Sequence, residues 1–343
     1  MARILIIRFS AIGDVAMTVP IVHSLALQYP LDEIVMLSKE SMRPLFAEMP
    51  TNVTFFGADV KNKHKGIGGL STLYGELKQY NFDYVADLHN VLRSKYLTLR
   101  LRMAGSEVVT LQKGRKEKKK LIKADLEEIS AVKSSFARSL EVFKLLGFPV
   151  QANFVSIYGD QKGDLSLIRS IVGEKKTEKW VGIAPFAAHK GKIYPIELME
   201  KVVAELSLRE NTRIFLFGGG AKEKKILARW EQKYKPVESV VGKLQMNTEL
   251  ILMSHIDVML TMDSANMHLA SLVNTSVVSI WGATHPYGGF LGWKQLPTNA
   301  IQVDLSCRPC SIYGNKPCKR GDYACLTSIA PTTVVHKIET LIN

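Results

Sequence analysis

Long apolar runs are missing from this chain: none approaches the ~18–20 residues needed to span a bilayer. The opening MARILIIRFSAIGD has only a short apolar stretch and no small-residue cleavage site, so no secretory leader is expected and residence in the cytoplasm is. Glycine is missing where a dinucleotide would need it. After the first apolar run the chain reads R-F-S-A-I-G-D rather than G-x-G-x-x-G. Without those glycines the backbone cannot approach a pyrophosphate closely, which excludes an NAD or FAD site on the first strand. Cysteine is scarce, with four residues, Cys307, Cys310, Cys318 and Cys325, all in one C-x2-C-x7-C-x6-C stretch. In a cytosolic chain such a cluster points to metal binding or a reduced thiol-rich loop more than to disulfides. The spacing is irregular for a zinc ribbon, so a structural zinc and an ordinary loop both stay open. Acidic residues are also in deficit, leaving a formal net charge of +13.

What is present is a globular composition, 46% hydrophobic and 22% charged, in a chain of 343 residues, long enough for two domains. The excess positive charge favours an anionic partner: nucleic acid, a phosphorylated substrate or an anionic membrane surface. It gathers in the first half, at Lys61, Lys63, His64 and Lys65, and again at Lys113, Arg115, Lys116, Lys118, Lys119, Lys120 and Lys123. A nucleic-acid binder would interleave aromatic residues with such runs, and the second cluster contains none. A solvated helix face or mobile loop is the plainer reading of that cluster.

Apolar runs at 3–7, 33–37, 53–56 and 84–88 read as strands, with helical spacing at 15–27, 70–79 and 91–103 between them. A longer amphipathic helix is expected over 125–147, stopping at Gly147 and Pro149. The alternation restarts with strands at 180–185, 213–217, 237–241, 258–262 and 277–281, and helices at 196–206, 222–234, 247–255 and 264–273. Alternating β and α elements with short connections argue for an α/β fold with parallel, doubly wound sheets. The expected division is a Rossmann-like domain over 1–165, a second over 166–327, and a final helix within 328–343 that packs back across the junction. In such sheets ligands sit beyond the carboxyl ends of the strands, which singles out the loops 8–14, 87–93, 184–195, 218–223, 263–268 and 282–289.

In the first of these loops Gly13 and Asp14 put a carboxylate at the start of a helix. Asp14 there is either an ordinary helix cap or a base held in a cleft, and the two readings are compatible. As a base it would need water excluded, which closure of two domains over a substrate supplies. The block T-M-D-S-A-N-M-H-L-A-S sets Asp263 and Ser264 between a strand and a helix, with His268 one turn in. Backbone N–H groups at such a helix start point at an anionic ligand; a capped helix with a core histidine is the alternative. His189, Lys190 and Lys192, in A-P-F-A-A-H-K-G-K-I-Y-P, can neutralise a diphosphate leaving group. Glu223, in F-G-G-G-A-K-E-K, either accepts hydrogen bonds from ribose hydroxyls or is simply an acidic first helical turn.

Taken in order, F-S-A-I-G-D, D-L-H-N-V-L-R-S, K-I-Y-P, D-S-A-N-M-H-L-A, W-G-A-T-H-P and the tail from C-R-P-C to G-D-Y-A-C resemble glycosyltransferase family 9, the heptosyltransferases of lipopolysaccharide core assembly. The resemblance implies a GT-B fold, two facing Rossmann-like domains with a cleft between them, acceptor on the first and nucleotide sugar on the second. It implies that Asp14 deprotonates the acceptor hydroxyl, that Lys192 contacts the phosphates and Glu223 the ribose, and that Asp263, Ser264, Ala265 and His268 surround the sugar and diphosphate. It further implies inversion in a single displacement, ADP-heptose as donor, and no cofactor or catalytic metal. The acceptor would be an anionic lipid-linked oligosaccharide at the inner leaflet of the cytoplasmic membrane. Gly13, Lys61, Lys63, Lys65 and Arg93 would bind it, and the 113–123 run would hold the enzyme peripherally to anionic lipid. Where the family commonly has glycine and proline this chain has Ala265 and Asn266, and a β-carbon at 265 narrows the approach of backbone to ligand. A different donor sugar or glycan acceptor, and a catalytically silent GT-B protein, are the alternatives.

Overall fold

The computed structural model describes residues 1–125 and 127–342, which form two compact units. The first comprises 1–114 and 133–157; the second comprises the described parts of 115–132 and 158–343. The chain thus leaves the first unit at residue 115 and returns at 133, whereas the sequence pattern placed one boundary at 165.

The first unit is a five-stranded parallel sheet in the order β3-β2-β1-β4-β5. Its strands are β1 (Arg3–Ile7), β2 (Glu33–Lys39), β3 (Val53–Ala58), β4 (Tyr84–Asp87) and β5 (Glu107–Thr110). Ile4 to Ile7 are completely buried, as expected for a central strand covered on both faces. Leu70, Leu73 and Leu77 of helix Gly66–Lys78 and Leu97 and Leu101 of helix Leu92–Met103 close one face. The helix expected over 15–27 is two, Ile12–Ala16 and Val19–Gln28. Pro20 stands at the start of the second, where a missing N–H costs nothing but a preceding helix cannot run through.

The helix expected over 125–147 is confined to Ser135–Leu145. Ser134 starts it, its Oγ accepting the Ala137 N–H at 3.1 Å; Gly147, at φ +86°, follows its end. Leu126, within the expected span, lies outside the described residues. Upstream, Arg115–Leu121 forms a separate short helix in the second unit.

The second unit holds β6 (Lys179–Ala184), β7 (Thr212–Leu216), β8 (Val237–Ser239), β9 (Val258–Met262), β10 (Ser276–Ile280) and β11 (Ala300–Ile301). They lie parallel in the order β11-β10-β9-β6-β7-β8. Val181, Ile183, Leu216, Leu260 and Ile280 meet Met199, Val202, Val203 and Leu206 of helix Ile196–Ser207 in its core. The final helix, Pro331–Ile342, buries Val334, Val335 and Ile338 in this same core. Its apolar stripe is therefore used within the second unit; Asn343 lies outside the described residues. No described helix is long and apolar enough to cross a membrane.

Each sheet has one place where the chain reverses its direction of winding: between β1 and β4 in the first unit, and between β6 and β9 in the second. Loops leaving the carboxyl ends of these strand pairs border the crevice where such sheets take ligands.

Candidate functional site

At the first crevice the chain leaves β1 through Arg8 and enters helix Ile12–Ala16, with Asp14 in its first turn. Asp14 Oδ2 accepts the Ala11 N–H at 3.0 Å, and Oδ1 lies 2.9 Å from Arg8 Nη2. Ala11 is the N-cap residue, and the Asp14 carboxylate in the first turn reaches back to its N–H while staying partly exposed. Arg8 also donates to Leu88 O at 2.5 Å and Ser10 O at 3.0 Å, tying it to the loop after β4.

That loop is built by Asp87, which is fully buried. Its Oδ1 accepts the N–H groups of His89 and Asn90, each at 2.9 Å, and its Oδ2 the Ser94 hydroxyl at 2.9 Å. Asn90 takes φ +51°, a conformation asparagine tolerates. The turn sets the buried His89 ring against Phe9, whose N–H reaches its Nδ1 at 3.4 Å. Burial, with Arg8, Lys113 and Arg93 nearby, lowers the His89 pKa to about 4, so the imidazole is neutral at pH 7. The Arg93 guanidinium lies 5.6 Å from the centre of the Phe9 ring. Gly13, Asp14 and Arg93 thus sit in the first turns of the two helices that follow these loops.

Lys61, Lys63 and Lys65 lie farther out, after the edge strand β3, and all three are exposed. Asp59 Oδ1 accepts the N–H groups of Lys61 and Asn62 at 3.2 and 3.1 Å, which shapes their loop. Lys63 Nζ pairs with Glu76 at 2.7 Å, so part of that cluster's charge is neutralised within the fold. In the second cluster Lys118 is buried, its Nζ 4.3 Å from the Phe290 ring centre, while Lys116, Lys119, Lys120 and Lys123 are exposed.

At the second crevice, the loop after β6 brings Lys192 Nζ to 3.0 Å from Asp263 Oδ2, just beyond β9. Both side chains are largely withdrawn from solvent, at 16% and 5% exposure. Ser264 precedes helix Ala265–Leu272 without capping it, and its buried Oγ has no hydrogen-bond partner among the described residues. Helix N–H groups and a hydroxyl accordingly stand beside a buried ammonium, a set of donors suited to phosphate oxygens. Ala265 opens the helix, and His268, one turn in, is buried. Glu223 lies beyond the neighbouring β7, where its Oε2 accepts the Gly219 N–H at 2.7 Å. There it serves its own helix start.

The four cysteines line one cavity of about 370 Å³ together with Lys123 and Lys316. Burial pushes the Cys325 thiol up to about 11. Among the described residues no three His, Cys, Asp or Glu side chains are gathered so as to hold a metal ion.

Residues 71–320 match the profile of glycosyltransferase family 9 (heptosyltransferase). The chain belongs to that family. It is 24% identical to lipooligosaccharide heptosyltransferase 2 of Haemophilus influenzae over an alignment of 365 positions covering 99% of each chain. Lipopolysaccharide heptosyltransferase 3 of Escherichia coli is 23% identical, with 84% of each chain covered. A lipooligosaccharide heptosyltransferase 2 of Campylobacter jejuni is 24% identical over 172 residues, 49% of this chain and 52% of that one. Among solved structures, a family 9 glycosyltransferase of Veillonella parvula superposes with a TM-score of 0.75 at 19% identity, covering 99% of this chain and 97% of that one. The E. coli ADP-heptose lipopolysaccharide heptosyltransferase II gives 0.68 at 18%, with 100% and 98% covered. The fold is accordingly GT-B, and the chain is a glycosyltransferase.

Two arginines that tie down the loops at these crevices are not marked out by the sequence pattern. Arg8 stands six positions before Asp14 at the end of β1, where a lone cation after an apolar run was the available signal. Arg308, inside C-R-P-C, is buried with its guanidinium on backbone oxygens, a partnership that no local spacing records.

Proposed function

We propose that this chain transfers heptose from ADP-heptose to an anionic acceptor of the lipopolysaccharide core, inverting the anomeric carbon in one displacement. The observation that carries the reading is the buried Lys192–Asp263 pair beside Ser264 at the start of helix Ala265–Leu272. A diphosphate is the ligand whose charge and oxygens such a group of donors matches. Solved E. coli heptosyltransferases with ADP and with ADP-2-deoxy-2-fluoro heptose, at TM-scores of 0.66 and 0.64, support an ADP-linked donor.

In this reading the acceptor hydroxyl oxygen attacks the anomeric carbon while Asp14 takes its proton. The bond from that carbon to the β-phosphate oxygen breaks, and ADP leaves with the additional negative charge. Lys192 meets that charge, Asp263 holding the ammonium until phosphate competes for it. Ser264 Oγ and the N–H groups from Ala265 onward bind phosphate oxygens, with His268 on the sugar side. Glu223 takes the ribose hydroxyls. No cofactor is required when the leaving-group charge is met by a lysine. Gly13 and Arg93 line the acceptor's path, with Lys61, Lys63 and Lys65 drawing in its phosphates and acidic sugars.

The exposed Lys116, Lys119, Lys120 and Lys123 fit a peripheral position on the anionic inner leaflet of the cytoplasmic membrane, each basic residue contributing about 1 kcal/mol near such a surface. Calorimetric titration with ADP, UDP, GDP, NAD and ADP-heptose tests the donor. ADP preferred over the other nucleotides, and tighter binding with the heptose attached, is the expected result. Preference for UDP or GDP would retain the family's chemistry and discard heptose as the donor sugar.

A further inference from the structure

The loop that carries Cys307, Cys310 and Cys318 has no part in the displacement, yet it reaches Lys192. Gly314, within that loop, has φ +70°, and a β-carbon there would lie 2.4 Å from Lys192 Cγ and 2.6 Å from Cδ. The backbone at 314 therefore lies directly against the aliphatic stem of the lysine whose ammonium meets Asp263. Two further glycines make the approach possible. A β-carbon on Gly191 would meet Gly314 O at 3.1 Å, and one on Gly282 would meet Gly191 O at 2.6 Å. Backbone from three loops, those after β6 and β10 and the cysteine-bearing one, is thus stacked without intervening side chains.

Hydrogen bonds hold the stack. The Ala283 N–H donates to Gly191 O at 2.8 Å, and Cys310 and Ser311 donate to Ala283 O at 3.1 and 3.2 Å. Arg308, 2% exposed, donates to Gly282 O at 2.6 Å, Thr284 O at 2.9 Å and Trp281 O at 3.2 Å, and also to Val303 O. A buried guanidinium that saturates its donors on carbonyl oxygens fixes two loops to each other.

We propose that the cysteine-bearing loop is a positioning element for Lys192: Gly314 sets the path of the lysine stem, and Arg308 holds the loop that presents Gly314. A lysine has a long flexible stem and a point charge, so a wall along the stem decides where the ammonium rests. The inference rests on reading Lys192 as the diphosphate ligand.

The same loop provides its own control. Gly321 has φ +83°, as left-handed as Gly314, but a β-carbon there meets nothing within 4 Å. Alanine at either position carries the same kind of backbone strain; only at 314 does it displace Lys192. The experiment is titration of Gly314→Ala, Gly321→Ala and Lys192→Ala with ADP and with adenosine. Gly314→Ala should weaken ADP about tenfold or more while adenosine binding holds, the loss expected when a charge-assisted contact is misplaced. Gly321→Ala should leave both ligands within about threefold, less than 1 kcal/mol. Equal effects of the two glycine variants on ADP would overturn the proposal. If Lys192→Ala itself leaves ADP binding intact, the reading of Lys192 fails, and that result is separate. Should Gly314→Ala fold poorly, its melting temperature is compared in the wild-type and Lys192→Ala backgrounds. Removing the stem should reduce the cost of Gly314→Ala to that of Gly321→Ala; an undiminished cost rules out the contact as the cause.

Discussion

Arg8 and Asp14 form an ion pair at 2.9 Å at the carboxyl end of β1, with the other carboxylate oxygen on the Ala11 N–H. One side chain thus caps a helix, holds an arginine and keeps a third of its surface open. Asparagine can keep the cap through its own oxygen but cannot take a proton. Asp14→Asn should therefore fold and bind ADP as the wild type does while kcat falls about 10²–10⁴-fold, the range for loss of a general base. Arg8→Gln should reduce kcat less, since the base remains while its orientation is loosened. Transfer assays on both variants check this, and an unaltered kcat in Asp14→Asn would remove Asp14 from the reaction.

Lys192 and Asp263 are a buried pair, so removing one partner strands the other. Lys192→Ala should lower stability by roughly 3 kcal/mol by leaving an uncompensated carboxylate. Adding Asp263→Asn should restore much of that stability without restoring ADP affinity. Denaturant melts and ADP titrations on the single and double variants distinguish the two effects; recovery of both together would count against a phosphate role for Lys192.

Lys61 and Lys65 are exposed, whereas Lys63 is engaged by Glu76. Reversal of Lys61 and Lys65 to glutamate should raise the acceptor KM and leave donor binding intact. Reversal at Lys63 should additionally lower the melting temperature, because it sets two carboxylates beside each other. Steady-state kinetics with acceptor varied at saturating donor is the measurement, and unchanged acceptor kinetics would remove this cluster from the acceptor site.

The buried, neutral His89 gives a pH signature. Its pKa falls from 6.5 to about 4 on folding. Below pH 6.5 the unfolded chain therefore takes up a proton that the folded chain does not. The stability conferred by a neutral His89 is complete above that pH and is lost progressively as the pH falls to about 4, by up to about 3 kcal/mol. Thermal melts from pH 7 to pH 4 should show a steeper decline for wild type than for His89→Gln. Parallel curves would mean that His89 titrates alike in both states.

Much of the fold was legible in the chain because buried parallel strands write themselves as short apolar runs. Strands 3–7 and 258–262 were read with their observed bounds, and seven others to within a few residues. β5 and β11 were not read: at four and two residues on sheet edges they carry too little apolar pattern. The helix at 125–147 was overextended because helical periodicity does not register a serine cap at 134 or a change of unit.

The order of the β and α runs, the basic first half and the polar loops after the strands were thus determined by sequence alone, since each depends on local spacing and composition. Tertiary structure decided which charges meet. Arg8 with Asp14 could be guessed from six residues of separation, but Lys192 with Asp263 is 71 positions apart and exists only because β6 and β9 lie side by side. Tertiary structure also decided that residues 115–132 belong with the second unit, that the last helix is spent on that unit's core, and that a glycine among the cysteines lies against Lys192. Contacts of that kind come from the stacking of backbones, which no side-chain pattern along the chain records.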